Sequence, residues 1–399
     1  MDLTHRKVKK QIKITDGNAI LPAGTQVRVL QTNHSFLFGC GAFDFIPHVM
    51  NESEETKIIT DSWLDVFNYG TLPFYWGTFE PEEGKPHTEM LMKTAQYLKN
   101  RGVKVKGHPL CWHTVCADWL MKYDNSTIMN KQLDRIEREV VGFKGVIDMW
   151  DVINEVVIMP IFDKYDNAIT RICKEKGRVG LIKEVFEKAR ECNPDAVLLL
   201  NDFNTSINYE ILIDGCLNAG VPISAIGIQS HQHQGFWGEE KLYEVLERFS
   251  SFGLPIHFTE NTLISGDIMP AHIVDLNDWQ VDEWPSTPEG EARQSAEIEK
   301  MYRILFEHPL VEAITTWDYK DGAWLKAPSG FIRLDNSRKP SYEMLKKLIK
   351  EEWHTDITVE TDADGFIQVD AFKGEYQISV NGKSINISLT DDEPITVAV

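Results

Sequence analysis

The sequence lacks long apolar runs, an excess of basic residues and closely spaced cysteines. No stretch reaches the roughly 18 apolar residues of a membrane span, so no membrane partner is expected. The 41 basic residues are outnumbered by 61 acidic ones, the net charge is −20, and no lysine or arginine stripe follows the chain. Nucleic acid is therefore not an expected partner, whereas a neutral glycan is compatible with this charge.

The six cysteines are scattered along the 399 residues. Their spacing matches neither a disulfide framework of a small domain nor a set of metal ligands. We expect most of them to be small buried hydrophobic residues.

The central part of the chain has the pattern of a closed parallel sheet. Apolar segments alternate with helical stretches between residues 35 and 354. This pattern predicts an α/β fold, a (β/α)8 TIM barrel, whose active site lies at the carboxyl ends of the strands. The predicted strands are residues 36–42, 66–74, 103–110, 146–155, 196–203, 225–232, 255–261 and 313–319.

Both ends of the chain have short alternating segments of β character. Turn residues separate them, including Asp16-Gly17-Asn18 near the start and Asn381-Gly382 near the end. Neither end alone buries enough surface to be stable. We therefore predict that residues 1–34 and 355–399 pair into one small β-sandwich, with the barrel of residues 35–354 inserted between them.

Two apolar runs end in a glutamate. The run from Val146 finishes in Asn154-Glu155, and the run from Pro255 finishes in Thr259-Glu260. A strand-end glutamate can also cap a following helix or pair with a surface arginine. Two such carboxyl groups in one domain, however, are typical of the acid/base and nucleophile of glycoside hydrolysis.

Further motifs surround these two glutamates in a fixed order, and together they resemble glycoside hydrolase family 10, the retaining xylanase family. The motifs extend over roughly three hundred residues. So many motifs in the same order are not expected by chance. The motifs are Gly107-His108-Pro109-Leu110-Cys111-Trp112-His113, Trp150-Asp151-Val152-Ile153-Asn154-Glu155, Asn201-Asp202-Phe203-Asn204, Gly227-Ile228-Gln229-Ser230-His231, Thr259-Glu260, Trp317, Trp324 and Arg338-Lys339-Pro340-Ser341-Tyr342.

The resemblance implies a role for each matched position. Glu155 would be the acid/base and Glu260 the nucleophile, with His231 as hydrogen-bond donor to Glu260. Asn154 would bind the sugar 2-hydroxyl, and Gln229 would lie near the nucleophile. The residues implied to bind or cover the sugar at the cleavage point are His108, Trp112, Trp317 and Trp324.

Histidines allow a different interpretation, a metal-dependent hydrolase. His108, His113, His231 and His233 all lie near predicted strand ends. No HExxH or similar ligand spacing is present, so we expect no metal and no other cofactor. His113 and His233 are predicted to be core histidines. For His108, a place in the core is the alternative to the sugar-binding role that the family motif favours.

The sequence departs from the family on the second strand and after the nucleophile. Thr71, Leu72 and Tyr75 stand where the family has Glu, Asn and Lys, which bind the glycone sugars. Tyr75 remains a candidate for substrate contact, because an aromatic ring can stack on a sugar. Thr262 stands where the family has an aspartate that partners the site histidine.

These observations predict a retaining glycoside hydrolase that cleaves β-1,4-linked xylan-type polysaccharide or oligosaccharide through a covalent glycosyl-enzyme intermediate. One alternative is a retaining β-glycosidase of the same fold that acts on a different or decorated glycan. Another is a carbohydrate-binding protein without turnover, although binding alone needs no pair of carboxylates. The first residues contain no apolar leader, which taken literally predicts a cytoplasmic protein, whereas the resemblance implies a secreted or periplasmic one.

Overall fold

The computed structural model describes residues 2–17 and 19–399, so the predicted turn at Asn18 lies partly outside the described residues. The terminal strands are β1 (Lys7–Asp16), β2 (Ala19–Ile20), β3 (Gln26–His34), β13 (Asp356–Glu360), β14 (Phe366–Phe372), β15 (Gly374–Val380), β16 (Lys383–Leu389) and β17 (Ile395–Ala398). Between them lie β4 (Leu37–Gly41), β5 (Tyr69–Pro73), β6 (Lys104–His108), β7 (Met149–Asn154), β8 (Val197–Asp202), β9 (Ala225–Ile228), β10 (His231–Gln232), β11 (Ile256–Leu263) and β12 (Val311–Thr316).

Helices follow most of the central strands. One of them, Thr88–Lys99, buries Leu91, Ala95 and Leu98 on one face, because these residues recur at helical spacing. The α-helices of the described residues are α1 (Phe45–Met50), α2 (Glu54–Leu64), α3 (Trp76–Phe79), α4 (Thr88–Lys99), α5 (Asn125–Gly142), α6 (Ala168–Lys176), α7 (Arg178–Cys192), α8 (Ile207–Asn218), α9 (Gly238–Ser250), α10 (Pro288–Glu307) and α11 (Pro340–Lys347). None of the helices in the described ranges combines the length and apolarity needed to cross a membrane.

The central strands close into a barrel. The parallel order is β4, β5, β6, β7, β8, β9, β11 and β12, and β12 returns to pair with β4. The barrel interior and the inner faces of the surrounding helices form one continuous hydrophobic core. The predicted (β/α)8 barrel is therefore confirmed.

The sixth barrel segment differs from its prediction. The sequence predicts one strand over residues 225–232, whereas these residues form β9 and then the separate short strand β10. The break follows from pairing, since β9 pairs with both β8 and β11, whereas β10 pairs only with the end of β11. This break places Gln229 and His231 at the carboxyl end of the barrel.

Strands from both termini form two further four-stranded sheets. The first has the order β14, β1, β17, with β2 also paired to β1, and the second has the order β13, β3, β15, β16. Each sheet combines N-terminal and C-terminal strands, as predicted. Val8, Ile12, Val29 and Ile378 belong to a hydrophobic cluster between these strands that is separate from the barrel core.

Arg6 attaches the terminal sheets to the barrel. Its guanidinium donates to the backbone oxygens of Phe306 at 2.8 Å, His308 at 2.7 Å and Val311 at 2.6 Å. These carbonyls lie at the end of α10 and the start of β12, at the amino-terminal end of that strand. The site at the opposite, carboxyl ends of the strands is therefore left uncovered by this attachment.

Candidate active site

Glu155 follows the last residue of β7 in an unusual backbone conformation. Its φ is +56°, in the left-handed region that is uncommon for residues other than glycine. Its backbone N–H donates to the carbonyl of Asn201 at 2.9 Å, and the pairing of β7 with β8 shifts register between Asp151 and Ile153. A backbone outlier held by neighbouring strands is a feature that clusters at functional sites.

Two neutral groups contact the Glu155 carboxyl group. Trp112 Nε1 donates to Oε2 at 2.9 Å, and Gln229 Nε2 donates to Oε1 at 3.3 Å. Burial raises the pKa of Glu155 to about 8, and the nearby charge of Glu260 acts in the same direction, against the hydrogen bond from Trp112. At neutral pH this carboxyl group is therefore predominantly protonated and can act as an acid.

Glu260 lies in β11 and is only 4% exposed. Asn201 Nδ2 donates to its Oε1 at 2.7 Å, and His231 Nε2 lies 3.1 Å from its Oε2. Burial acts to raise the pKa of Glu260, but His108, His231 and Lys106 outweigh it and hold the pKa below its ordinary value. This carboxylate therefore stays ionised, as a nucleophile must.

A buried ion pair near Glu260 explains part of the difference in pKa between Glu155 and Glu260. Lys106 Nζ and His108 Nδ1 each lie 2.7 Å from Oδ2 of Asp151, and all three side chains are almost fully buried. Lys106 and His108 are two residues apart on β6, so they point to the same side of the strand. Lys106 also lies close enough to lower the pKa of Glu260.

Lys106 and Asp151 also belong to the site, although neither is predicted there from the sequence. The available signal was Asp151 itself, a carboxylate within the apolar run from Val146, because a buried charge needs a partner. Its partner lies on the neighbouring strand, 45 positions earlier in the chain, and strand pairing alone makes them adjacent.

Asn201 connects the two glutamates. Its Nδ2 donates to both Asn154 Oδ1 at 2.8 Å and Glu260 Oε1 at 2.7 Å, and its Oδ1 accepts from Thr259 at 2.7 Å. A Cβ atom at Gly227 would come within 2.4 Å of Asn201 Oδ1, so glycine leaves the space that this amide occupies. Gln229 Nε2 completes the connection, because it donates to Asn154 Oδ1 at 3.1 Å and to Glu155.

Thr262 takes the place behind His231 where the resembling family has an aspartate. Its hydroxyl lies 3.4 Å from Nδ1 of His231 and 3.1 Å from Nδ1 of His233. A neutral hydroxyl therefore partners both rings at the position where the family has a carboxylate. His233 is fully buried and its pKa is lowered to about 3 by burial, as is appropriate for a neutral core histidine.

His113 is the other histidine predicted to belong to the core. It is fully buried, burial lowers its pKa to about 4, and its ring packs edge-on against Phe162 at 4.6 Å between centroids. His108, in contrast, lies 4.0 Å from Oε1 of Glu260, so the structure brings it to the carboxylates.

Aromatic rings surround the two glutamates. Tyr75 lies 5.6 Å from Trp112 and 5.7 Å from His108 between ring centroids, and Trp317 lies 5.2 Å from His108. Trp324 lies 4.7 Å from His231. The residues predicted to form the site thus come together at one end of the barrel, although their roles remain predictions: Glu155, Glu260, His108, Trp112, Asn154, Gln229, His231, Trp317, Trp324 and Tyr75.

Two of the substituted positions on the second strand point into protein. Thr71 and Leu72 are both fully buried, and Leu72 belongs to the barrel core. Only Tyr75, which is partly exposed at the start of α3, reaches the mouth. Burial together with the charges of Glu260 and Glu155 raises the pKa of Tyr75, so its phenol stays neutral.

Comparisons with known proteins give one family. The model for glycosyl hydrolase family 10 matches residues 47–347. An anti-sigma-I factor, RsgI6, of Acetivibrio thermocellus is 26% identical over 94% of this chain and 45% of its own length. An endo-1,4-β-xylanase/feruloyl esterase of Xylanibacter ruminicola is 26% identical over 68% of this chain and 40% of its own length. This chain thus spans less than half of either relative.

A solved structure has the same fold. GH10 from Paenibacillus barcinonensis aligns with a TM-score of 0.65 and 23% identity, over 79% of this chain and 95% of the other. The structural alignment covers a larger share of this chain than the family match does. The residues in the family match include every candidate site position.

Proposed function

The chain belongs to glycosyl hydrolase family 10, and from this membership we propose that it cleaves β-1,4-linked xylan-type polysaccharide through a covalent glycosyl-enzyme intermediate. The observation that carries the proposal is the contrast between two carboxyl groups at one barrel mouth. Burial raises the pKa of Glu155 to about 8, whereas the pKa of Glu260 is held below its ordinary value. Such a pair supplies one acid and one nucleophile at the same pH.

In the first step the Glu260 carboxylate attacks the anomeric carbon. A bond forms between a Glu260 oxygen and C1, the bond from C1 to the glycosidic oxygen breaks, and Glu155 gives its proton to that oxygen. Glu155 becomes an anion in this step, and Trp112 Nε1 and Gln229 Nε2 already donate to its two oxygens. These donors stabilise the charge as it develops.

In the second step Glu155 acts as a base. It removes a proton from water, the water oxygen bonds to C1, and the bond from C1 to Glu260 breaks. Two inversions at C1 leave the configuration of the sugar unchanged. The departing Glu260 carboxylate is again stabilised by Asn201 and His231.

Asn154 is positioned to bind the sugar next to the acid/base. Its Oδ1 accepts from both Asn201 and Gln229, so its Nδ2 group is left to donate to a sugar hydroxyl. The 2-hydroxyl is the partner we propose, because a contact to it strengthens as positive charge develops at C1. Trp317 and Trp324 offer ring faces to the apolar side of the same sugar.

The relatives suggest the substrate class. The proposed reaction is tested by the products formed from xylo-oligosaccharides. An endo-1,4-β-xylanase/feruloyl esterase is among the relatives, which favours xylan as the glycan. Purified protein is incubated with xylo-oligosaccharides, and the first-formed anomer is followed by proton NMR before mutarotation. We expect the β-anomer, whereas the α-anomer would contradict the covalent intermediate. A 2-fluoro-xylosyl fluoride should label Glu260, and a peptide map showing another labelled residue would contradict its role.

A further inference from the structure

The turn that follows β7 begins with Glu155 and continues with Val156 and Val157. Glu155 has a φ of +56°, a left-handed conformation that persists in a residue with a side chain only when surrounding contacts hold it. The last residue of β7 is Asn154, and one further backbone bond, from the N–H of Glu155 to the carbonyl of Asn201, continues the pairing with β8. Beyond that bond, the conformation of the turn depends on the contacts of Val156 and Val157.

Arg178 holds the carbonyl groups of this turn. It is the first residue of α7 and follows Gly177, where α6 and α7 meet. Its Nε donates to the carbonyl of Val156 at 3.2 Å and to that of Val157 at 3.0 Å, and its Nη2 donates to the carbonyl of Val157 at 2.6 Å. Hydrogen bonds from a charged donor are stronger than neutral ones. One guanidinium therefore binds both carbonyls that follow Glu155.

Asp202 holds an N–H group of the same turn. It is the last residue of β8 and is buried. Its Oδ2 accepts from the N–H of Val157 at 3.0 Å, and its Oδ1 accepts from the N–H of Asn204 at 3.0 Å. Burial raises the pKa of Asp202 to about 6, so at neutral pH this group is mostly ionised. Val157 is thus bonded at its N–H by a carboxylate and at its carbonyl by the guanidinium of Arg178.

These two charged groups act on the backbone next to Glu155, whereas Trp112 and Gln229 act on its carboxyl group. The conformation of the turn decides where the Glu155 side chain leaves the backbone. A shift of the turn would therefore displace the carboxyl oxygens from the atom that receives the proton. A displacement of about 1 Å at a catalytic group can lower the rate by about 10²-fold.

We infer that Arg178 and Asp202 are positioning residues for proton transfer, which hold the turn after β7 so that Glu155 stays in place beside the leaving oxygen. The inference rests on the proposed function, in which Glu155 acts first as an acid and then as a base. Both residues act through Glu155 and need no contact with the sugar. Arg178 lies outside every motif that carries the family resemblance, and only its contacts with the turn point to this role.

The first experiment compares two leaving groups at neutral pH. In Arg178→Met, kcat/KM on phenyl β-xylobioside should fall by about 10- to 100-fold, because phenol is a poor leaving group that needs the proton. On 2,4-dinitrophenyl β-xylobioside the fall should be less than about twofold, because this leaving group departs without a proton. On this second substrate kcat and KM should fall together, because Glu155 is also the base that activates water in the second step.

Arg190→Met is the matched control. Arg190 lies on the same helix as Arg178 and donates to the carbonyls of Pro194 and Ala196, each at 2.7 Å. These carbonyls precede β8, at the amino-terminal end of the barrel. Both variants should lower the melting temperature, because each removes bonds to backbone carbonyls. In Arg190→Met, however, kcat/KM on both glycosides should stay within about twofold of the wild-type values.

A double-mutant cycle tests whether Arg178 acts through Glu155. In Glu155→Ala there is no proton donor to position, so the addition of Arg178→Met should lower kcat/KM on the phenyl glycoside by less than about a further twofold.

Two milder variants carry the test if Arg178→Met does not fold. Arg178→Lys keeps the charge but loses the planar fork of donors, and Asp202→Asn keeps one of the two acceptor oxygens. Each should lower kcat/KM on the phenyl glycoside by about three- to tenfold and leave the dinitrophenyl glycoside within about twofold of wild type.

The outcomes separate this inference from the function on which it rests. Equal losses on the two leaving groups in the Arg178 and Asp202 variants would overturn the positioning role and leave the proposed function in place. Wild-type rates in these variants, or losses that multiply in the double variant with Glu155→Ala, would overturn it as well. If Glu155→Ala itself shows equal losses on both glycosides, or if the wild-type enzyme turns over neither, the proposed function fails and this inference fails with it.

Discussion

Glu155 and Glu260 show how different surroundings give one residue type two opposite properties. Each stands at or near the carboxyl end of a barrel strand, and Asn201, Asn154 and Gln229 connect the two by hydrogen bonds. Within the described residues the hydrogen-bond donors to Glu155 are neutral, and burial dominates its pKa. Glu260 instead lies beside His108 and His231, and the charge of Lys106 also lowers its pKa. Both carboxyl groups are buried, so burial alone does not separate them. Nearby positive charge decides whether a buried carboxyl group stays ionised or is protonated at neutral pH.

Removing Glu260 should have the largest effect. In Glu260→Ala no group can form the bond to C1, so kcat should fall by roughly 10⁴-fold or more on every substrate, including activated aryl glycosides. Steady-state rates on 4-nitrophenyl β-xyloside measure this. A loss of less than tenfold on this substrate would show that another group is the nucleophile.

Removing Glu155 should have an effect that depends on the leaving group. Glu155→Ala should lower kcat/KM by roughly 10² to 10⁴-fold on xylo-oligosaccharides, the usual contribution of general acid catalysis. An aryl glycoside with a good leaving group needs no proton in the first step, so glycosylation of the enzyme should be nearly unaffected. Rates across a series of phenol leaving groups measure this, and an equal loss for all of them would contradict the role.

The wild-type pH profile should report both environments. Glu155 must be protonated, and its pKa is raised, so kcat/KM on xylo-oligosaccharides should fall as the pH rises through about 8. Glu260 must be ionised, and its pKa is lowered, so the acid limb should lie below its ordinary value of 4.5. A basic limb near pH 5 would mean that Glu155 is not held protonated.

Lys106→Met should move the acid limb and weaken the fold. Loss of the charge removes one cause of the low pKa of Glu260, so the acid limb should move to higher pH. Asp151 also loses a buried partner, which should cost about 3–5 kcal/mol of unfolding free energy. The double variant Lys106→Met with Asp151→Asn serves as a control, since it should regain stability. An acid limb that stays in place in both variants would exclude Lys106 from the control of Glu260.

Trp112→Phe should have the smallest effect, on Glu155 alone. It removes a hydrogen bond from a neutral donor, which is worth roughly 1 kcal/mol more to the ionised than to the protonated carboxyl group. The pKa of Glu155 should rise further, so the basic limb should move to higher pH by less than about one unit. The acid limb should not move, and a shift of that limb would mean that Trp112 acts on Glu260 as well.

Local patterns were sufficient to predict the barrel and to mark the two glutamates as candidate site residues. The apolar runs before Glu155 and Glu260 are continuous in sequence, and a carboxyl group at the end of such a run is visible without any coordinates. The same holds for the alternating segments at both ends, which form the two terminal sheets. The sequence predicts a single strand over residues 225–232, because the break depends on pairing with β11, which the sequence does not display.

The sequence by itself determined which residues could do the chemistry, since apolar runs, strand ends and family motifs are properties of neighbouring positions. Tertiary structure alone decided which groups surround each candidate residue in the site. Lys106 meets Asp151, Thr262 meets His231, and Phe43 joins Tyr75 to Trp317, through strand pairing and barrel closure. The physical reason is that pKa and access depend on distance and burial, and both are set by contacts between residues far apart in the chain.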